Sequence, residues 1–195
     1  TLFRSMALED SLGLTATAFG FASGIFFIGY FMFEIPSNAG TIKFGPRLWF
    51  ARILITWGIF ATLMGFVRTP TELYICRFML GVCEAGFFPS VVYYFTIFFP
   101  PAWRTKILGM FIIVQPLSNA VGSPISGLIL HIDNGWFGLE SWQWLFILEG
   151  IPPIVIGLFI PFIIKNSPQE VGYLNAEEKA WLMSSTNRSK SGSKV

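Results

Sequence analysis

The sequence has few charged residues. Only 12% of its 195 residues are Asp, Glu, Lys or Arg, whereas 53% are hydrophobic and 17% are aromatic, and the mean hydropathy is +0.62. Soluble domains contain about 25% charged residues, and a water-soluble fold could not hide this much apolar surface. The composition therefore indicates an integral membrane protein. The net charge of +2 is too small to indicate a protein that binds nucleic acid.

Residues that support metal binding or catalysis are also scarce. His131 is the one histidine, so a metal site is not expected. Cys76 and Cys83 have no metal-ligand spacing, lie too far apart on one helix to form a disulfide, and are interpreted as packing residues. The sequence contains no serine-centred nucleophile elbow, phosphate-binding loop or zinc-protease motif. We therefore expect neither an enzyme nor a bound cofactor.

Long apolar runs predict five transmembrane helices. About 20 apolar residues cross the hydrocarbon core, because an α-helix rises about 1.5 Å per residue and the core is roughly 30 Å thick. The predicted spans are residues 15–37, 48–67, 71–99, 107–130 and 142–164. Residues 1–14 precede them, and residues 165–195 form a hydrophilic tail with a predicted short helix at 175–183 and a Ser/Lys-rich end predicted to be disordered. The predicted fold class is an all-α membrane bundle.

Prolines and glycines predict local features of these spans. Glu34 and Pro36 are expected to mark the end of the first span, with residues 40–47 in the loop that follows. Residues 100–101 are expected to stop the third span. Pro89 lacks a backbone donor inside the third span, so a kink is expected near Ala85. Two groups of small residues are expected to allow close helix packing: Ala16, Gly20 and Gly24, and residues 122–127.

Basic residues alternate between the two sides of the predicted bundle. One side has Lys43, Arg47, Arg52, Arg104, Lys106 and the five basic residues of the tail, and the other has Arg4 and Arg68. The positive-inside rule places the richer side in the cytoplasm, so we expect an outside N-terminus and a cytoplasmic tail. The sequence starts at Thr1 and shows no cleavable signal peptide. We therefore expect a fragment of a longer protein that lacks one preceding span.

Two charges inside the third span are the main functional candidates. Arg77 and Glu84 are seven residues apart, so they share one helix face and lie roughly 10 Å apart along its axis. Charges in hydrocarbon are costly and usually face a bundle interior or a water-filled cavity. A carboxyl in such a place, influenced by a cation, can take up and release a proton. The structural alternatives are a fixed internal ion pair and a neutral, hydrogen-bonded Glu84.

Other spans contain further polar candidates. Gln115 and Asn119 begin a polar stripe at helical spacing, and Gln115 reaches a depth similar to that of Glu84. Substrate contact and interhelical hydrogen bonding are equally supported for Gln115; Asn119 is kept as a candidate for substrate binding, although hydrogen bonding between helices suits it better. Tyr30 lies too deep for an interfacial aromatic belt, so its hydroxyl could face a cavity. For Glu149, a structural role and a functional role are equally supported.

Four stretches of the sequence resemble the major facilitator superfamily and, within it, the anion:cation symporter family. They are residues 24–38, 51–58, 77–89 and 142–152. The phrase from Arg77 through Glu84 to the Phe-Phe-Pro at 87–89 is the most specific of them. The loop motif of the superfamily is represented by Gly40, Lys43, Gly45 and Arg47. Ile42 stands where an acidic residue is common, which weighs against the usual charge latch.

The resemblance implies a proton-coupled symporter of the sugar-acid, tartrate or phthalate type. The five helices would be spans two to six of twelve, within the N-terminal six-helix half, and the tail would begin the central cytoplasmic loop. Glu84 would bind the proton with support from Arg77, and Tyr30 and Gln115 would contact the small organic anion. The full-length protein is expected to be a monomer in a bacterial inner membrane. The alternatives are a sodium-coupled or vitamin-type anion carrier of the same family and a membrane scaffold without transport.

Overall fold

The computed structural model describes residues 15–131, 138–172 and 174–191. Within these ranges the chain is helical and contains five helical segments long and apolar enough to cross a membrane, which confirms the predicted fold class. The helices are α1 (Ala16–Phe44), α2 (Pro46–Leu63), α3 (Pro70–Glu84), α4 (Phe87–Phe98), α5 (Pro101–His131), α6 (Ser141–Ile163) and α7 (Ala176–Ser191). Short 3₁₀ turns occupy Met64–Phe66 and Pro168–Glu170. The predicted segment 1–14 lies outside the described residues.

The first span is about two turns longer than predicted. α1 continues through Pro36, and Gly45 alone separates it from α2. Gly45 has a φ of 84° and donates its amide to the carbonyl of Thr41, while Pro46 occupies the first helical position, where no amide is needed. The prediction of a helix end at Pro36 and a loop at 40–47 is therefore wrong, because one positive-φ glycine makes the whole turn.

The third span is broken beside Glu84. α3 ends at Glu84, Ala85 is extended with a ψ of 133°, and Gly86 is left-handed with a φ of 80°. A Cβ at Gly86 would also lie 2.5 Å from the hydroxyl oxygen of Ser37 on α1. Pro89 falls in the first turn of α4, where its missing amide is tolerated. The predicted kink near Ala85 is confirmed.

Two predicted loops or tails prove to be helical. α5 begins at Pro101, six residues before the predicted start, and Arg104 in its first turn donates to the carbonyls of Phe99 at 3.0 Å and Thr96 at 2.9 Å. These bonds satisfy carbonyls at the end of α4. α7 extends to Ser191, so much of the Ser/Lys-rich end predicted to be disordered is helical, because the helix begun at Ala176 continues through it.

Glycines allow the central helices to approach closely. α2 has its most extensive contact with α6, and α1 with α3. A Cβ at Gly150 of α6 would meet the side chain of Thr62 and lie 2.7 Å from the carbonyl oxygen of Gly58. A Cβ at Gly29 of α1 would lie 2.6 Å from the carbonyl oxygen of Phe78. Close backbone approach at such small residues is how membrane helices pack in the absence of a hydrophobic driving force.

The glycines of the two predicted small-residue groups do not pack against other helices in the described ranges. No atom outside its own helix segment lies within 4 Å of a Cβ built at Gly20, Gly24, Gly122 or Gly127. The expected close packing of these groups is therefore absent within the described ranges. The glycines that do pack, such as Gly58 and Gly150, are identified by the tertiary arrangement of their helices.

Candidate functional site

The crossing of α1 and α3 brings Tyr30 and Glu84 together. The backbone of α1 approaches Gly81 so closely that the amide nitrogen of Tyr30 would lie 3.0 Å from a Cβ there. Glu84 follows Gly81 by nearly one turn, and Tyr30 lies within electrostatic range of both Glu84 and Glu34. Tyr30, Glu34 and Glu84 are each half-buried. The structure therefore groups two of the predicted site residues and adds a second carboxyl.

Glu34 is a site residue that sequence reasoning missed. From the sequence alone, this residue and Pro36 mark the end of the first span. α1 continues for ten residues beyond Glu34, so this carboxyl lies inside the helix. The tolerance of prolines in transmembrane helices was the available indication that the span could continue.

Arg77 lies in a separate cavity with Glu149. The cavity has a volume of about 190 Å³ and lies between α2, α3 and α6. Its remaining walls are apolar: Trp57, Ala61, Met64, Leu80 and Phe146. Arg77 is half-buried and Glu149 is exposed. Arg77 and Glu84 are on one continuous helix, as predicted, but the charged residue that shares the cavity with Arg77 is Glu149.

Gln115 and Asn119 lie away from these groups. Both are on α5 and both are exposed. Neither residue forms a hydrogen bond with another part of the chain that the structure describes. Their roles in substrate binding therefore stay predictions, as does the depth match between Gln115 and Glu84.

The loop-motif residues join the α1–α2 turn to the segment after α6. The amide of Arg47 donates to Oδ1 of Asn166 at 3.0 Å. A Cβ at Gly45 would lie 2.7 Å from that same oxygen, so glycine is required for this contact as well as for its positive φ. Lys43 is exposed, with its ammonium 5.4 Å from the centre of the Phe44 ring. The motif thus has a structural role in the part of the chain that the structure describes.

A buried hydroxyl network, Ser37, Thr41 and Ser90, surrounds the helix break. Thr41 and Ser90 are fully buried and hydrogen-bond to each other across α1 and α4. Ser90 also donates to the carbonyl of Gly86, and Nε1 of Trp49 on α2 donates to Ser37 at 3.0 Å. Three helices are therefore fixed around the break that follows Glu84. Sequence reasoning assigned none of these residues, since isolated hydroxyls in apolar helices have no distinctive spacing.

Apolar helices long enough to cross a membrane, with charged residues inside α1, α3 and α6, define a polytopic membrane protein. The sequence matches the model of the Major Facilitator Superfamily over residues 2–192, and the chain belongs to this family. It is 42% identical over 190 residues to a protein of Agrobacterium vitis named "Putative tartrate transporter", an alignment covering 97% of this chain and 42% of that protein. It is also 42% identical over 180 residues to a "Quinolone resistance transporter" of Acinetobacter baumannii, an alignment covering 92% of this chain and 41% of that protein.

The fold resembles that of a solved transporter. A bacterial homologue of the human lysosomal transporter Spinster, in an inward-facing and occupied conformation, superposes with a TM-score of 0.66 at 20% identity, over 86% of this chain and 41% of that chain. The predicted resemblance to the superfamily is confirmed. The family and these relatives are transporters rather than enzymes. The chain spans about two-fifths of the length of the curated relatives it matches.

Proposed function

We propose that this chain is part of a secondary transporter that moves a small organic anion together with a proton. The observation that supports this most directly is the grouping of Glu84 with Tyr30 beside a break in the third span. Glu84 lies fourteen residues beyond Pro70, roughly 21 Å along the helix and near the middle of a bilayer. Ionisable residues at that depth usually serve an ion or substrate pathway. The name of the Agrobacterium relative points to a hydroxy-dicarboxylate as the type of anion.

The coupling follows from charge. An ionised Glu84 repels an incoming carboxylate, whereas a protonated Glu84 does not and can donate a hydrogen bond to it. Proton and anion therefore raise each other's affinity, because linkage between two binding events is reciprocal. In this proposal the hydroxyl of Tyr30, which lies within electrostatic range of Glu84, donates to the same anion, and Arg77 adds positive charge two turns away on α3. Release of both ligands follows when the two halves of a complete transporter rock about the central site.

The proposed orientation has the N-terminal end outside and α7 in the cytoplasm of a bacterial inner membrane. It is supported by the distribution of basic residues among the described segments, where Lys43, Arg47, Arg104 and Lys106 lie at one end of the helices. We propose a monomer at full length, with Gln115 and Asn119 on the α5 face that contacts the anion.

The test is Glu84→Gln in the complete protein, reconstituted in proteoliposomes. Glutamine keeps the shape and hydrogen-bonding capacity of the carboxyl but cannot exchange a proton. We expect uptake driven by a pH gradient to fall by roughly a hundredfold, as when general acid–base groups are removed, while anion counterflow is retained. Glu177→Gln, on the exposed first turn of α7, is the matched control. Intact proton-driven uptake in Glu84→Gln would show that Glu84 is not the coupling residue.

Export of an amphipathic drug is a second candidate function, favoured by the name of the Acinetobacter relative. The same proteoliposomes distinguish the two. A tartrate-like dicarboxylate that drives counterflow, without competition from a quinolone, supports the anion symporter. Competition by the quinolone, without counterflow of any dicarboxylate, supports the drug exporter.

A further inference from the structure

Glu149 and Arg77 enter one cavity at matching depths. Arg77 lies seven residues into α3 and Glu149 eight residues into α6, roughly 10 and 12 Å from the helix starts. Both starts are at the same end of the bundle, because Nε2 of Gln143 in the first turn of α6 donates to the carbonyl of Gly65 at 2.7 Å, just before α3. The two opposite charges therefore lie at similar depths in the bundle.

The surroundings of the pair favour attraction between them. The other five residues that line the cavity are apolar, so none of them offers either charge a competing partner. A carboxylate within an apolar span is costly without a partner, and Arg77 is the cation among the residues that line this cavity. The backbone beside Glu149 is held firmly, since Gly150 packs directly against Gly58 and Thr62 of α2.

We propose that Glu149 is the counter-charge that positions the guanidinium of Arg77 in this cavity and keeps it away from Glu84. This inference rests on the proposed function of Glu84. Arg77 and Glu84 are about 10 Å apart along one helix face, a distance that a long arginine side chain and a glutamate can close if both lean toward each other. A guanidinium drawn to Glu149 leaves Glu84, beside Tyr30 and Glu34, available for proton exchange. Without Glu149, Arg77 competes with the proton for Glu84.

The pairing is tested first by stability, which does not depend on transport. Arg77→Gln, Glu149→Gln and the double variant are compared by thermal unfolding of the complete protein in detergent. We expect each single variant to lower the unfolding midpoint, because it leaves one intramembrane charge without its partner. The double variant should be no less stable than the worse single variant. Additive losses in the double variant would overturn the pairing.

The positioning role is tested by transport in proteoliposomes. Glu149→Gln should reduce proton-driven uptake roughly tenfold, equivalent to one modest electrostatic interaction, while counterflow persists, and Glu149→Asp should restore most of the loss. Glu177→Gln is again the control. Unchanged proton-driven uptake in Glu149→Gln, alongside its loss in Glu84→Gln, would overturn the positioning role and leave the proposed function standing. Proton-independent uptake in the unaltered protein would overturn both the proposed function and the positioning role, whereas the stability comparison would still decide the pairing.

Discussion

The second and fourth spans have similar composition and opposite packing. The mean hydropathy is 1.5 for the span Pro46–Phe66 and 1.3 for Pro101–Ile129. In the most apolar 18-residue stretch of each span, 44% of the first is buried and none of the second. Hydropathy therefore predicts that both spans enter a membrane. It does not predict which face of each span packs against another helix. In α2 the partners are α6 and α3; α5 has only limited contacts with α4, α6 and α7 in the described ranges.

The candidate functional residues divide along the same line. Tyr30, Arg77, Glu84 and Glu149 lie on helices that approach one another closely at glycines, namely α1, α3 and α6. α5 presents Gln115 and Asn119 on an open surface. We expect the packed group to tolerate few substitutions for structural reasons, and the α5 surface to tolerate most of them unless they affect transport.

The largest effect is expected at the α2–α6 contact. Gly150→Ala places a methyl group against Thr62 and the carbonyl of Gly58, so the two helices must separate. The expected loss in the free energy of unfolding is about 1–3 kcal/mol, as for other overpacked sites, and the measurement is thermal unfolding of the complete protein in detergent. Gly109→Ala on α5, where a Cβ meets no atom within 4 Å, is the control.

The Gly109→Ala control also tests whether the second and fourth spans differ in packing. Because glycine in a helix costs about 0.5–1 kcal/mol relative to alanine, Gly109→Ala should be neutral or slightly stabilising. Marked destabilisation by Gly109→Ala would show that the α5 surface is tightly covered in the complete protein. Equal stability of both variants would show that the α2–α6 approach is looser than the structure indicates.

A smaller effect is expected at the hydroxyl network around the helix break. Thr41→Val removes the hydrogen bond to Ser90 and leaves a buried hydroxyl with one partner fewer. The expected cost is about 1–2 kcal/mol, the usual penalty for a buried polar group that loses a partner. Thr105→Val, exposed on α5, should change stability by less than about 0.5 kcal/mol. Thermal unfolding measures both variants. An equal loss of stability in the two would show that the hydroxyl network does not stabilise the fold.

The sequence predicts the elements far better than their contacts. The number of spans and the break near Ala85 follow from hydropathy and proline chemistry, whereas the roles of Arg77 and Glu84, predicted from the cost of charge in hydrocarbon, stay predictions. The end of α1 was misplaced because Pro36 is tolerated within it, and Gly45 alone makes the turn. Which glycines pack, and which carboxyl shares a cavity with Arg77, depend on how helices far apart in sequence cross, so local patterns do not determine them.

The smallest structural effect and a clear functional one are expected at Gln115. Its side chain is exposed and makes no hydrogen bond within the described residues, so Gln115→Ala should change the free energy of unfolding by less than about 0.5 kcal/mol. If it contacts the anion, the KM for uptake should rise roughly three- to tenfold, the value of one hydrogen bond. Ser123→Ala, another exposed polar site on α5, is the control and should alter neither quantity. A fall in stability with an unchanged KM would make Gln115 a packing residue, and the α5 surface would then be an interface between helices rather than a wall of the transport pathway.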